Sequence, residues 1–199
     1  MDVEYEATFL DIDKDEIRKR LKDAGAELIK PDFLQKRVVF NPPKKTNEHS
    51  WLRVRDEGDK ITMSFKMVFD ENKIESQKEI ELVINDFKTG VDFLEATGCQ
   101  RKSYQETKRE LWMLDGLDVC IDEWPFLEPY VEVEGKSEKE VKAVSEKLGF
   151  DYSKALFCAT GLIYSKKYNI PVEVIDNEIK RIVFDMENPF LKFKDNEDL

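Results

Sequence analysis

The chain has 199 residues, of which 41% are hydrophobic and 38% charged, and its formal net charge is −11. That length and apolar content support one domain with a real core. The acidic balance argues against a general nucleic-acid binder, whose phosphate contacts need a basic footprint, but leaves room for a small anion bound by a local basic cluster. The three cysteines, Cys99, Cys120 and Cys158, are widely spaced with no CxxC, which argues against a disulfide framework or a structural zinc site. No leader-like segment precedes the first strand and no apolar run is long enough to span a bilayer, so a soluble, cytoplasmic protein without a membrane partner is expected.

In chain order, residues 2–10 read as a strand. A helix follows over residues 13–22, with Asp13 as its cap, Ile12, Ile17, Leu21 and Ala24 as its apolar face, and Gly25 as its stop. Residues 28–40 read as a strand that ends at Asn41-Pro42-Pro43. The polar stretch 41–49 then reads as a flexible loop, which makes His49, the only histidine, a surface residue. Residues 50–56 and 60–69 form a hairpin around Glu57-Gly58-Asp59, and residues 76–84 form the next strand. Residues 86–97 read as a helix closed by Gly98. Residues 104–114 and 117–124 pair around Asp115-Gly116, and residues 129–134 complete the strands. Ser137 caps a helix that runs to Leu148, and residues 152–164 read as one further helix. The expected organisation is a domain over 1–168 and an appendix over 169–199, with short branched runs at 172–175 and 179–184 and a mobile acidic end. The pattern is about eight strands in hairpins, with helices after the first, fifth and last. It has no βαβ alternation and no glycine-rich phosphate loop.

The chemistry lies in residues two apart on these strands, which share a face. Glu4 and Glu6 open the first strand, and Glu132 and Glu134 close the last. Between them stand Arg53 and Arg55, then Lys66 in a strand that alternates Thr62, Ser64 and Lys66 with Met63, Phe65 and Met67, then Glu79 and Glu81, then Arg109 and Asp122. Several strands that each point charge one way predict a barrel with a polar lumen. Carboxylates gathered there supply hard oxygen ligands and repel one another unless a cation such as Mg2+ or Mn2+ joins them. Arginines sharing a face bind phosphate bidentately. The alternative is an open sheet whose charges form a solvated, salt-bridged face.

In this order the motifs resemble the CYTH superfamily, the triphosphate tunnel metalloenzymes, which include class IV adenylyl cyclases, thiamine triphosphatases and inorganic triphosphatases. The resemblance covers residues 2–165. The opening Glu-x-Glu-x-Lys matches at Glu4 and Glu6, with Thr8 at the lysine position. Leu52-Arg53-Val54-Arg55, Lys66, Glu79 with Glu81, Arg109, Asp122 and Glu132-x-Glu134 match in turn, and Thr107 stands where a second lysine is usual.

The resemblance implies an eight-stranded antiparallel barrel with flanking helices, an α+β fold whose tunnel binds a triphosphate. Carried over, Glu4, Glu6, Asp122, Glu132 and Glu134 are metal-side residues. Arg37, Arg53, Arg55, Lys66, Glu79, Glu81, Arg109 and Lys154 are substrate-side residues, and Glu4, Glu6, Lys66, Arg109 and Glu134 are the catalytic set. Thr8 removes a charge that Lys36, Lys108 or Lys154 would have to replace. The implied function is a Mg2+- or Mn2+-dependent hydrolase of a triphosphate-containing small molecule, acting as a monomer or homodimer. A class IV-type cyclase, forming cAMP and pyrophosphate from ATP, and a non-catalytic polyphosphate or nucleotide binder are the alternatives.

Overall fold

Strands that alternate charged with apolar residues shelter both sets when the sheet curls, so that one face becomes a lumen and the other lies under helices. The structure, a computed structural model, describes residues 1–44, 49–70 and 72–193. Its elements are β1 (Asp2–Val3), β2 (Tyr5–Phe9), α1 (Lys14–Asp23), β3 (Glu27–Asn41), β4 (His49–Asp56), β5 (Ile61–Val68), β6 (Gln77–Ile84), α2 (Phe87–Ala96), β7 (Gln100–Leu114), β8 (Leu117–Glu123), β9 (Tyr130–Gly135), α3 (Glu138–Lys147), α4 (Thr160–Tyr168), α5 (Val172–Glu178) and β10 (Arg181–Ile182).

The strands run in the order β1-β6-β5-β4-β3-β7-β8-β9-β2. Only Glu4 separates β1 from β2, and its N–H donates to the Gln77 carbonyl at 3.0 Å. The two ends of the list are therefore halves of one strand. Its first half pairs with β6 and its second with β9, both antiparallel. Counted as one strand, they complete an antiparallel barrel of eight, nearly closed, to which β10 adds a two-residue parallel pairing on β7.

Register decides what faces the lumen. Glu6 lies opposite Glu134 and Thr8 opposite Glu132. Arg109 lies opposite Asp122, Arg37 opposite Arg55, Arg53 opposite Ser64, and Lys66 opposite Glu79. The alternate residues point outward into two apolar clusters, and a third cluster forms on the lumen-side face of the strand ends at Trp124 and Tyr130. Ala7, Phe9, Val119, Ile121, Val131 and Val133 meet Ile17 and Leu21 of α1 and Val141 and Val144 of α3. Val38, Phe40 and Val54 meet Val91 and Leu94 of α2. Trp124 and Tyr130 meet Ile163, Tyr164 and Tyr168 of α4, Ile175 of α5, Ile179, Ile182 and Phe190. The helices do not roof every strand. Ile80 and Leu82 of β6, near the seam, stay 46% and 52% exposed.

Local rules account for the helix ends and turns. Asp13 Oδ1 accepts from the N–H groups of Asp15 and Glu16, both at 2.9 Å, and caps α1. Asp86 and Ser137 cap α2 and α3 in the same way. Asp115 and Gly116 both take positive φ, 54° and 83°, as a two-residue hairpin turn requires. One element reading changes. Residues 152–164 do not form one helix: a 3-10 turn spans Tyr152–Lys154, Leu156 bridges to Thr8 with backbone hydrogen bonds of 2.9 and 3.0 Å, and α4 starts at Thr160. The branched run near Val172 is helical, and Phe190 beyond it is fully buried. The acidic end at 194–199 and positions 45–48 of the expected loop lie outside the described residues. Among the described residues, no helix is long and apolar enough to cross a membrane.

One polar clamp ties α1 to the barrel wall. Glu110 of β7, 5% exposed, accepts from Arg18 Nε at 3.0 Å and Nη2 at 2.9 Å, and from Trp112 Nε1 at 2.6 Å. Glu110→Ala leaves a buried indole N–H and a guanidinium without their acceptor. Urea unfolding is expected to show a loss of about 2–4 kcal/mol, and an unchanged midpoint contradicts the clamp.

Candidate functional site

The lumen encloses a cavity of about 310 Å3 lined by residues from every barrel strand and by the start of α4. At one region of its wall, Glu4, Glu6 and Glu134 bring three carboxylate oxygens within 4.8 Å of one another. Glu4 is neutralised: Lys66 Nζ donates to its oxygens at 2.6 and 2.8 Å, and Gln77 Nε2 donates at 2.5 Å. Burial alone would raise the Glu4 carboxyl, yet these donors hold it below its ordinary range. Glu6 and Glu134 have no cation within 4.0 Å among the described residues. Burial pushes both up, with Glu132 and Glu4 repelling Glu6 and Glu4 repelling Glu134. Three converging hard oxygen donors, two of them unneutralised, fit a small divalent cation.

Asp122 and Glu132 do not join that triad. Arg109 takes both, with Nε on Asp122 Oδ1 at 2.7 Å and Nη2 on Asp122 Oδ2 and Glu132 Oε2, each at 2.5 Å. The register explains this: β7 places Arg109 directly opposite Asp122 of β8, and Glu132 follows on the next strand, β9, opposite Cys120. Burial comes first in raising Glu132, repulsion from Asp122 adds to it, and Arg109 only partly offsets them, so its carboxyl is pushed up to about 8.

The opposite wall is basic. Arg53 Nη2 sits 3.2 Å from Glu79 and 3.9 Å from Glu81, Arg55 Nη2 sits 2.6 Å from Glu57 and 3.5 Å from Glu81, and Lys66 reaches Glu79 at 3.4 Å. Arg37 is buried beside them. Burial and repulsion from Arg53, Arg55 and Arg109 depress it well below the usual arginine range. Burial and Arg53 depress Arg55 as well. Several donors here are buried without a protein partner: Nε of Arg37, Arg53 and Arg55, and the hydroxyls of Thr62 and Ser64. Buried polar atoms normally have partners, and these donors could pair with acceptor oxygens brought into the cavity.

The sequence-predicted residues Glu4, Glu6, Arg37, Arg53, Arg55, Lys66, Glu79, Glu81, Arg109, Asp122, Glu132 and Glu134 all line the cavity. Lys154 does not. It ends the 3-10 turn with its side chain 81% exposed, 4.0 Å from Asp151, because the chain turns back to bridge Thr8. Lys36 is also exposed, and Lys108 lies 41% exposed beside Glu123, so none of the three supplies the charge that Thr8 lacks. His49 is not a loop residue. It opens β4 and lines the cavity 3.4 Å from Asp176 of α5. Lys102, missed in the sequence, reaches Asp176 at 2.7 Å. It sits at a β7 bulge, where Val39 pairs with Ser103 but Phe40 pairs with Arg101, and the extra residue turns inward. Gln77 and Gln35 could have been found by extending the spacing of two back from Glu79 and Arg37.

The family model described as the CYTH domain matches residues 3–161. No curated protein matches the chain in sequence. A candidate adenylate cyclase from Vibrio parahaemolyticus superposes with a TM-score of 0.69 at 11% identity, covering 82% of this chain and 98% of the other. A conserved hypothetical protein from Pyrococcus furiosus gives 0.65 at 22% identity, covering 78% and 96%. A candidate adenylyl cyclase from Hippeastrum, described as having a dominant triphosphatase activity, gives 0.59 at 16% identity, covering 87% and 99%. At these identities the likeness is one of fold.

The proton on Glu132 has a stability consequence. Its carboxyl rises from an ordinary 4.5 to about 8 on folding, so the folded state holds a proton that the unfolded chain releases in this window. The stabilisation is present below pH 4.5 and is lost as pH rises through 8. Without divalent metal, Tm is expected to fall across that interval, and Glu132→Gln to flatten the slope. A Tm that rises with pH, equally in both proteins, contradicts the assignment.

Proposed function

This chain belongs to the CYTH domain family, and from that premise we propose that it is a metal-dependent phosphohydrolase acting on a triphosphate-containing small molecule. The observation that carries the reading is the division of one tunnel cavity into a carboxylate triad and a wall of buried donors lacking acceptors. A polyphosphate with a divalent cation satisfies both at once.

Glu4, Glu6 and Glu134 would hold Mg2+ or Mn2+. A cation bound there supplies neutralisation of phosphate oxygens and activation of water for in-line attack. The chain's own contribution is positioning and charge. Arg53 and Arg55, sharing one face of β4, offer guanidinium edges to non-bridging oxygens. Lys66, held between Glu4 and Glu79, places an ammonium where the acid triad meets the basic wall. Arg109 is fixed by Asp122 and Glu132 and faces the same lumen. Donors set before the substrate arrives need no reorganisation as charge develops on the phosphoryl oxygens. The cavity, about 310 Å3, lies at the small end of ligand sites, which favours a compact triphosphate. The named activity of the Hippeastrum neighbour points the same way.

A second reading, a class IV-type cyclase, rests on the Vibrio parahaemolyticus neighbour and uses the same charges. Incubation with tripolyphosphate, thiamine triphosphate or ATP, each with Mg2+ or Mn2+, separates them. Phosphate release supports the hydrolase, cAMP with pyrophosphate supports the cyclase, and binding without product leaves a sensor. The hydrolase reading expects Glu132→Gln with Glu134→Gln to lose metal-dependent turnover while keeping its circular dichroism. Full turnover in that double variant contradicts the metal site. Arg53→Ala is expected to weaken tripolyphosphate binding about 10- to 100-fold by calorimetry, the value of a charge-assisted hydrogen bond. Unchanged affinity counts against the basic wall.

A further inference from the structure

A barrel hides one face of each strand in its lumen, and the outer face, when apolar, needs a cover of its own. Helices α1 and α3 cover the outward side chains of β2, β8 and β9, and α2 covers those of β3 and β4. The outer face of β5 and β6 has no such cover among the described residues. It carries Phe65 and Met67 of β5, Ile80 and Leu82 of β6, Phe69 just beyond β5, and Val3 of β1. The register sets them side by side: Phe65 lies opposite Ile80, and Met67 and Val3 both lie opposite Lys78. None of the six belongs to an apolar cluster of the fold, and Phe69, Ile80 and Leu82 are about half exposed. The charged residues of the same strands, Lys66, Glu79 and Glu81, line the tunnel instead. Lys78 brings the one charge among the outer side chains, with its ammonium 5.3 Å from the Phe69 ring.

We propose that this face is the contact surface of a homodimer, in which a second copy of the chain stacks on it sheet to sheet about a two-fold axis. Area, charge and symmetry each favour that occupant. Half-exposed aromatic and aliphatic side chains on three neighbouring strands amount to roughly 500 Å2 of apolar surface, toward the upper end of what a monomer carries without a partner. A stable dimer draws about 800 Å2 from each copy, as an apolar core with a polar rim. Two chains of formal net charge −11 repel one another, and a face whose outer side chains include no carboxylate lets them approach at the least electrostatic cost. The outer row of β6 also complements itself. Lys78 stands four residues before Leu82, and Asp86, the exposed cap of α2, stands four residues after it. An antiparallel two-fold over Leu82 sets each Lys78 beside the partner's Asp86, as an isologous contact requires. The contact has a consequence for the tunnel. β6 holds the two-residue β1 at the seam and carries Glu79 and Glu81 on its inner side, so a second copy braces the least covered part of the wall from outside.

The test is sedimentation velocity on the full chain from about 1 to 100 μM, a span that brackets micromolar association. Wild type is expected to sediment as a species of twice 23.4 kDa and to show a Tm that rises with protein concentration. Leu82→Lys puts a charge at the centre of the contact and is expected to weaken association about 100-fold with unchanged circular dichroism. Lys78→Glu alters only the rim and is expected to weaken it about tenfold, which keeps the test decisive if Leu82→Lys unfolds. Val83→Lys is the control. Val83 is 73% exposed but lies opposite Thr62, on the other side of the strand, and its substitution is expected to leave the dimer intact. A monomeric wild type at the highest concentration, wild-type association in Leu82→Lys or Lys78→Glu, or dissociation of Val83→Lys as complete as that of Leu82→Lys overturns the inference. A monomeric wild type that sediments with phosphatidylglycerol vesicles overturns it too and assigns the face to lipid. None of these readouts involves triphosphate turnover, so the functional reading stands or falls separately.

Discussion

The structure depends on one closure. Glu4 interrupts the first strand so that β1 pairs with β6 and β2 with β9, joining the two edges of the sheet through a single residue. Its backbone N–H completes the seam on the Gln77 carbonyl, and its side chain accepts from the amide of the same glutamine. Closure converts one face of the sheet into an interior. Without it, the alternating glutamates, arginines and lysines would face bulk water, where ion pairs are screened and contribute little.

Inside the lumen, pairing is uneven, and the unevenness has chemical content. Most cations hold a carboxylate, which keeps their side chains extended and offsets part of their burial. The exceptions lie in two places. Glu6 and Glu134 form a pocket of excess negative charge, and Arg37 with its neighbours forms one of excess positive charge. Such imbalances destabilise an empty protein and are retained at functional sites, where ligand groups supply the missing partners.

The helices and C-terminal elements give this interior its support. Apolar faces of α1, α2 and α3 pack on the outward side chains of the strands, and α4 and α5 bring a further apolar cluster against Trp124 and Tyr130. Trp124 belongs to both worlds: it packs edge-on against Tyr164 and also covers Arg37. Asp176 of α5 enters the cavity wall beside Lys102 and His49. The tail after α4 therefore reaches the site itself.

Much of this was legible from sequence, because β-strands expose their pattern at a spacing of two. Glu4 with Glu6, Arg53 with Arg55 and Glu132 with Glu134 announced a common face, and the hairpin and capping signals at Asp115-Gly116 and Asp13 gave the turns and helix starts. Sequence also determined the family through the order of those motifs. What it could not decide were effects of register and long-range contact. Arg109 captures Asp122 and Glu132 only because β7 and β8 align as they do, and Lys102 turns inward only through a bulge. Lys154 is kept out by the bridge from Leu156 to Thr8. Periodicity states which residues share a face; which of them touch, and which are left without a partner, depends on strand stagger and side-chain reach across the closed barrel, and that is set in three dimensions.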